Sequence, residues 1–337
     1  MAHGHWTLVE TLGTQEDWSA LAVDDRILDW QPLSATLPPN VLAVLPGVVD
    51  EASAVELTLP RSRTRWSGEQ LRALPVPGPD GVVQAVEIWV GPRSVAPPDP
   101  PRVATFAYST RTRLTELAPG LYDFFGFTRP DRRHWTTPEL FRYVEQFGDA
   151  MSLVVKSVRP ESGDRWQGRL VLRIDGVRRA VHVAVRNGAA RDDWRGLLFD
   201  SPQPAEPVNQ FLELATLEAM RAPTNETYVA LMDLVRARLI RWVTDPLPGI
   251  QWKGVVDDRD TPHPDDVARI YAAAFDILSN GADQLQVNEV RLRRIGGGWT
   301  VVDAAATVLA HAGAPSLVLV ALTVVGKSDD PDPTSPS

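Results

Sequence analysis

Short segments of alternating apolar and polar residues, joined by glycine-containing turns, recur along the chain and predict antiparallel β-hairpins. The clearest is GRLVLRIDGVRRAVHVAVR (168–186), which turns at Asp175-Gly176. Two further hairpins are predicted to turn at 79–81 (Pro-Asp-Gly) and at 296–298 (Gly-Gly-Gly). The second strands alternate over part of their length, as half-buried antiparallel strands do. The pattern therefore predicts a protein built on antiparallel sheets.

Two proline-rich breaks, VGPRSVAPPDPPR (90–102) and DSPQPAEPVNQ (200–210), divide the chain. Proline-dense segments fit neither a sheet ladder nor a helix interior, so they act as spacers. The predicted segments are 1–100, 101–205 and 206–327, followed by a polar tail, 328–337, that is predicted to be disordered.

The third segment opens with PVNQFLELATLEAMRA (207–222), whose pattern predicts a linker helix. Its apolar stripe contains Phe211, Leu212, Leu214 and Leu217. Two interpretations stay open. The helix either joins domains, where it carries signal or pairs with a second copy, or packs onto its own domain.

The second and third segments follow the same order, and this order indicates a repeat of roughly 120 residues. VATFAYSTRTRLTEL and TYVALMDLVRARLIRWV each predict a strand, a polar turn and a second strand. Arg113-Leu114 and Arg238-Leu239 follow the two turns. Helical stretches come next, and three antiparallel strands close each segment.

This order, with TFAYSTRTRLTELAPGLYDFFGF in the second segment and HPDDVARIYAAAF in the third, resembles that of PAS domains. The resemblance implies small α+β sensor domains, each with a five-stranded antiparallel sheet and helices across one face. HWTLVETLG (5–13) and VEIWVGPRSVAPPDPP (86–101) resemble the N-terminal domain of a small actinobacterial, mycobacterial-type family. That family consists of sensor domains only, one GAF and two PAS.

The resemblance implies an α+β protein of three tandem PAS/GAF-like domains. The first segment is GAF-like by elimination, with a third PAS-like fold as the alternative. In the family the role is signal integration and scaffolding, and the resemblance carries no catalytic residue over to this chain.

Composition narrows the classes of function further. The net charge of −9 argues against a general nucleic-acid or anionic-membrane surface. Without cysteine the chain has no disulfides, thiolate nucleophiles or cysteine-based metal sites. The start has no secretory signal pattern, and the longest apolar run, LVLVALTVV (317–325), suits a buried strand. We expect a soluble, cytoplasmic protein.

The stretch TPHPDDVARIYAAAFDIL (261–278) brings His263, Asp265 and Asp266 together. These three side chains could bind a metal ion or perform acid–base chemistry, but further metal ligands are lacking nearby in the sequence. The pattern favours a helix start, with Thr261 and Asp265 as caps and Pro264 before the first turn. The predicted apolar stripe of this helix contains Val267, Ile270, Tyr271, Ala274 and Leu278.

Other candidates have simpler structural interpretations. The glycine run 296–298 suits a hairpin loop better than a nucleotide cradle, and Asp245 suits a turn. His182 is predicted to share a strand face with Ala180 and Ala184, where a haem or metal role is less favoured than a structural one. The tryptophans that could line a ligand cavity or an interface, but suit core packing better, are Trp135, Trp166, Trp194, Trp242 and Trp252.

The sequence thus predicts a non-enzymatic sensory or scaffold protein without an effector, which acts on unknown signalling proteins through protein contacts, with a homodimer as one option. No catalytic residue, metal site or cofactor is predicted. One alternative is a sensor that holds a small molecule in a PAS or GAF pocket, and another is an unrecognised enzyme.

Overall fold

The computed structural model describes residues 4–59, 69–112, 114–125, 132–147, 150–158, 161–188, 193–202, 227–235, 238–253, 256–280, 284–309 and 317–333. Within these ranges the chain forms three sheets, with helices between strands of each sheet, and the paired strands are antiparallel. The antiparallel sheets predicted from the hairpin pattern, and the α+β class implied by the family resemblance, are confirmed.

The first sheet has six strands, with bounds β1 His5–Glu10, β2 Ser19–Val23, β3 Arg26–Pro32, β4 Val55–Thr58, β5 Glu69–Pro77 and β6 Val83–Pro92. Their spatial order is β3-β2-β1-β6-β5-β4. The helical elements are the 3₁₀ helix η1 (Gln15–Asp17), α1 (Leu33–Thr36), α2 (Pro39–Leu42) and α3 (Leu45–Glu51). Val86 and Ile88 of β6 pack with Leu45 and Val48 of α3, which buries one face of this sheet.

The second sheet contains β7 Val103–Ser109, β8 Leu114–Leu117, β9 His134–Thr136, β10 Val144–Phe147, β11 Arg165–Ile174, β12 Val177–Asn187 and β13 Asp193–Asp200. Its order is β10-β11-β12-β13-β7-β8-β9. The helices α4 (Pro119–Phe125), α5 (Thr137–Phe141) and α6 (Ala150–Val158) lie between β8 and β11 in the chain. The first strand, β7, therefore pairs with the last, β13.

The third sheet contains β14 Thr227–Asp233, β15 Arg238–Trp242, β16 Gln284–Arg293, β17 Trp299–Val308 and β18 Leu317–Ser328. Its order is β15-β14-β18-β17-β16, so the first strand again pairs with the last. The long helix α7 (Pro264–Asn280) packs beside β16. Its Ala274 enters an apolar core with Val287 and Val302.

The predicted hairpin turns are present. Asp175 and Gly176 both have positive φ, 48° and 81°, between β11 and β12. Two consecutive left-handed residues match the twist of the flanking strands, and this is why Asp-Gly favours the turn. Gly81 and the glycines 296–298 also have positive φ, in the turns that precede β6 and β17.

The residues cluster into two compact units, Met1–His134 with Tyr143–Glu206, and Trp135–Arg142 with Pro207–Ser337. In the first unit the two sheets share an apolar cluster. The first sheet contributes Leu8, Leu21 and Ala85, and the second contributes Ala184, Leu197 and Phe199. In the second unit α5 packs against β15, with the Arg241 guanidinium 5.7 Å from the centre of the Phe141 ring.

Two predictions about apolar and polar segments differ from the structure. On α7 only part of the predicted stripe is covered, since Tyr271 is 46% and Leu278 40% exposed. Residues 328–333 of the predicted disordered tail are held by ion pairs of Asp330 and Asp332 to arginines.

The predicted linker helix 207–222 lies outside the described residues. No helix in the described ranges is both long and apolar enough to cross a membrane.

Candidate functional site

A half-open cleft of about 290 Å³ lies in the first unit, between η1 and the helices α1–α3. Its described lining residues are Gln15, Glu16, Trp18, Pro32, Leu33, Ser34, Leu42, Leu45 and Pro46. The volume is close to the lower end of the range for small-molecule sites, roughly 300–1,000 Å³. Glu16 is the one charged side chain among these described lining residues, so the cleft has no basic group suited to a phosphate or another anion.

The loop that carries η1 is held by short local hydrogen bonds. Thr14 Oγ1 donates to Asp17 Oδ2 at 2.7 Å, and the Asp17 N–H donates to the Thr14 carbonyl at 2.8 Å. Trp18 Nε1 donates to the Gly13 carbonyl at 3.3 Å. Gln15 and Glu16 of η1 line the cleft, whereas the Asp17 carbonyl of η1 accepts a hydrogen bond from the second sheet.

The second sheet reaches η1 through one arginine. Arg186, on β12, is 6% exposed, and its Nη2 donates at 3.1 Å both to Glu10 Oε1 and to the Asp17 carbonyl. Glu10, on β1, is fully buried, and its Oε2 accepts the Leu12 N–H at 2.9 Å. The guanidinium also lies 5.3 Å from the centre of the Trp30 ring. Arg186 therefore connects the central strand of the first sheet with the loop that lines the cleft.

Gly13 makes this approach possible. A Cβ at this position would lie 3.2 Å from Arg186 Cδ and 3.0 Å from Asp17 Cβ, tighter than ordinary contact. Burial raises the pKa of Glu10, and the opposing charge of Arg186 together with the hydrogen bonds from Leu12 and Arg186 limits that rise. Glu10 and Arg186 form a buried ion pair, and the attraction between their charges offsets the cost of burial only while the two groups stay in contact.

Further polar contacts join the two sheets around this pair. Thr105 Oγ1 donates to the Pro77 carbonyl at 2.6 Å, and Gln167 Nε2 donates to the Leu28 carbonyl at 3.1 Å. At the solvent edge, Arg195 pairs with Asp80 at 2.8 Å. The contact between the two sheets is therefore polar as well as apolar, and these bonds fix the position of one sheet against the other.

Glu87 is the second buried acid of this region. It follows Ala85 by two residues on β6 and so shares its strand face, which belongs to the cluster between the sheets. The residue is 8% exposed, and its Oε1 has no hydrogen-bond partner among the described residues. Burial raises the pKa of Glu87 to about 8, which makes the carboxyl mostly neutral at pH 7.

The predicted candidates around His263 form a helix start, but with different roles. His263 is 4% exposed, its Nδ1 accepts the Asp265 N–H at 3.2 Å, and its carbonyl accepts the Asp266 N–H at 2.9 Å. His263 therefore caps α7, and the prediction of Thr261 and Asp265 as caps is wrong. Thr261 Oγ1 instead accepts the Lys253 N–H and donates to the Gln251 carbonyl.

Asp266 anchors α7 to β16. Its side chain is 3% exposed and accepts hydrogen bonds from the N–H, Nε and Nη2 of Arg291 at 2.9, 2.9 and 3.2 Å. Burial disfavours the charged carboxylate, but the bonds from Arg291 and Arg269 outweigh it and lower the pKa of Asp266. Among the described residues, no cluster of three His, Asp or Glu side chains could hold a metal ion.

Replacing Asp266 with alanine is expected to lower the free energy of unfolding by about 2–4 kcal/mol, because Arg291 loses its main acceptor in a buried setting. Asp265→Ala is the matched control, since that neighbouring side chain is 76% exposed. Its effect is expected to stay below about 1 kcal/mol. Urea unfolding of both variants checks this, and equal costs would contradict the anchoring role.

The other predicted candidates lie in structural settings. His182 shares a face with Ala180 and Ala184 on β12 and stacks on Phe199 at 5.6 Å. Burial and the charge of Arg169 lower the pKa of His182. Trp166, Trp194 and Trp242 are buried, while Trp135 and Trp252 are half-buried. Asp245 lies in a bend after β15.

Glu10, Glu87 and Arg186 were missed by the sequence analysis. For Glu10 and Glu87 the signal is a lone charged residue inside an otherwise apolar strand, as in HWTLVETLG and VVQAVEIWVG. A charge at such a position is costly unless it is paired or neutral, so it indicates a buried polar contact in the folded protein. Arg186 has no such signal, because its strand also contains Arg178 and Arg179.

Comparison with solved structures finds a match over the whole chain. An uncharacterised protein from Mycobacterium tuberculosis, whose crystal structure is known, superposes with a TM-score of 0.77 at 19% identity, covering 95% of this chain and 96% of that one. At this identity the likeness shows the fold alone.

Two further structures overlap much less. An RNA-binding light-oxygen-voltage receptor gives a TM-score of 0.26 at 8% identity, over 67% of this chain and 93% of that chain. The Escherichia coli DhaR(N)–DhaL complex gives 0.20 at 6% identity, over 60% and 80%. Neither score carries an argument about fold. No curated protein matches the sequence.

Two family models match the sequence. The model described as Rv3651-like, N-terminal, matches residues 5–99, and the Rv3651-like C-terminal domain matches residues 212–328. The two matched ranges together span well over half of the chain and contain the first and third sheets. The chain belongs to the actinobacterial Rv3651-like family.

Proposed function

We propose that this chain is a sensory scaffold of the cytoplasm, in which a GAF-like first domain passes a signal to PAS domains and onward by protein contacts. The observation that carries the proposal is the reach of Arg186 from the second sheet to Glu10 and to η1 beside the cleft. The shared strand order of the second and third sheets, with the first strand beside the last, supports the PAS assignment.

The coupling follows from the two sides of η1. Gln15 and Glu16 line the cleft, and the carbonyl of Asp17 accepts a hydrogen bond from Arg186. A molecule in the cleft that moves η1 must therefore move or break that bond. Because Arg186 and Glu10 are buried, their pair cannot adjust continuously, and the sheets respond by shifting between discrete arrangements. A ligand or partner that favours one arrangement shifts the population toward it.

Filling the cleft with a side chain tests this coupling. Ser34→Trp places an indole in the cleft, and Ala35→Trp adds the same group to the adjacent position of α1, outside the cleft lining. We expect Ser34→Trp to change amide hydrogen exchange in residues 13–19 and, through Arg186, in residues 183–188. Ala35→Trp is expected to leave both regions unchanged. A change confined to the first sheet would contradict coupling through Arg186.

The scaffold role has its own readout. Each tryptophan variant is introduced into an actinobacterial host in place of the unchanged chain, and the proteins that cross-link to it are identified. The two variants are expected to cross-link to different sets of proteins. Identical sets from Ser34→Trp, Ala35→Trp and the unchanged protein would overturn the proposal that the cleft controls protein contacts.

A small-molecule sensor is the second candidate, and the cleft of about 290 Å³ favours it. Native mass spectrometry of the host-purified protein would then show a mass excess that disappears on denaturation. Ser34→Trp is expected to lack that excess, whereas Ala35→Trp retains it. No excess in any preparation would leave a scaffold whose signal arrives through a protein.

A further inference from the structure

The segment that follows β18 lies on a cluster of arginines in the second unit. Asp330 Oδ2 accepts from Arg291 Nη1 at 2.8 Å, and the Asp330 carbonyl accepts from Trp299 Nε1 at 2.9 Å. Asp332 Oδ2 accepts from Arg259 Nη1 at 3.1 Å and also pairs with Arg293 Nη1. Two acids, separated by one proline, are thus each held by arginine.

The arginines are positioned without help from that segment. Arg291 is held by Asp266, and Arg259 donates from its Nε to Asp257 at 2.9 Å. Arg293 Nε donates to the Asp260 carbonyl at 3.2 Å. The cluster therefore keeps its geometry when Asp330 and Asp332 leave, as a preorganised binding site does.

The buried end of the cluster brings the guanidinium groups of Arg259 and Arg293 close together. Arg293 is 3% exposed, and its guanidinium lies 4.8 Å from the centre of the Trp299 ring. Burial and the nearby charge of Arg259 lower the pKa of Arg293. Two neighbouring guanidinium groups of this kind attract a carboxylate, and Asp332 contacts both.

The acidic segment itself lies at the surface. Residues 329, 330, 331 and 333 are exposed, and the Asp330 side chain is 51% exposed. The exposed pair of Asp330 is individually weak, so tethering to β18 and the resulting high local concentration contribute to keeping the segment in place. A tethered, surface-lying occupant can be exchanged for another chain of the same chemistry.

We propose that Arg259, Arg291, Arg293 and the Trp299 indole form a docking site for an acidic Asp-x-Asp segment of a partner protein. In the unliganded chain Asp330-Pro331-Asp332 occupies the site and competes with that partner. The site belongs to the third sheet and does not depend on the cleft of the first domain, so either proposal can fail without the other.

Peptide binding to the full chain tests the competition. The probe is a fluorescently labelled peptide with the sequence SDDPDPT, and a version with asparagine at the second and third acids serves as the negative probe. Asp330→Asn with Asp332→Asn frees the arginines, and Asp329→Asn, whose exposed side chain has no arginine contact among the described residues, is the control. The double variant is expected to bind the acidic probe about tenfold or more tighter than the control does.

Equal binding by the double variant and the control would overturn the proposal, as would equal binding of the two probes. A second measurement needs no variant. Millimolar acidic peptide added to the unchanged protein is expected to raise the amide exchange of Asp329, Asp330 and Asp332, while the asparagine peptide is not. Unaltered exchange at saturating peptide would also overturn it.

Discussion

Replacing Arg186 with alanine is expected to lower the free energy of unfolding of the first unit by about 3–5 kcal/mol, since it leaves a buried charge without its partner. Glu10 is fully buried and would lose the hydrogen bond and the opposing charge of Arg186, while the Leu12 N–H and the Ser19 side chain would still contact its carboxylate. The Asp17 carbonyl would lose the Arg186 donor and keep the Ser19 hydroxyl. Urea unfolding followed by circular dichroism measures the change.

Arg195→Ala is the matched control, because Arg195 also joins the second sheet to an acid of the first. Its pair with Asp80 is exposed, with 35% and 43% of the side chains accessible, so the cost is expected to be at most about 1 kcal/mol. The double variant Glu10→Leu with Arg186→Met removes both charges and is expected to recover most of the loss. Equal costs for Arg186→Ala and Arg195→Ala would contradict the role of the buried pair.

Local sequence signals account for the hairpins and for the position of α7. The Asp175-Gly176 turn depends on residues that accept positive φ, a property of those residues themselves. Short apolar runs between turn signals also predict two strands. These are β13, which ends at the second proline-rich break, and the strand LVLVALTVV (317–325). Such features need no knowledge of distant parts of the chain.

Details of α7 depend on its neighbours and were not predictable in the same way. His263 replaces Thr261 as the cap because its ring is fixed against Trp299, with centroids 4.7 Å apart. Tyr271 and Leu278 suit an apolar stripe by spacing alone, but only the line of α7 through Ala274 faces the sheet. Trp299 is 36 residues from His263 in the sequence, and nothing local indicates their contact.

The contacts of the candidate site were even less predictable from the sequence than those of α7. Glu10 and Arg186 are 176 residues apart and belong to different sheets. Glu10 is visible in the sequence as a lone charge in an apolar strand, but Arg186 is one of three arginines in β12, and one sequence gives no means of pairing the two residues. The polar contacts between the first and second sheets therefore come from the structure alone.

The stability of the first unit is expected to depend on pH through Glu87. The unfolded chain releases this proton near the ordinary value of 4.5, whereas burial raises the pKa of Glu87 to about 8 in the folded protein. Between these values the folded state binds one proton more than the unfolded state, so stability falls as pH rises. The loss is about 1.4 kcal/mol per pH unit, and reaches roughly 4–5 kcal/mol by pH 8.

Glu87→Gln isolates this contribution, because glutamine has nearly the shape of the protonated acid and does not titrate. The difference in unfolding free energy between this variant and the unchanged protein is expected to be small at pH 5 and to grow to several kcal/mol in favour of the variant at pH 8. Glu56→Gln, at a side chain that is 72% exposed, is the control and should show no such growth. A difference that stays constant from pH 5 to pH 8 would mean that Glu87 is charged in the folded protein and has found a partner, which would make it a second buried pair beside Glu10 and Arg186.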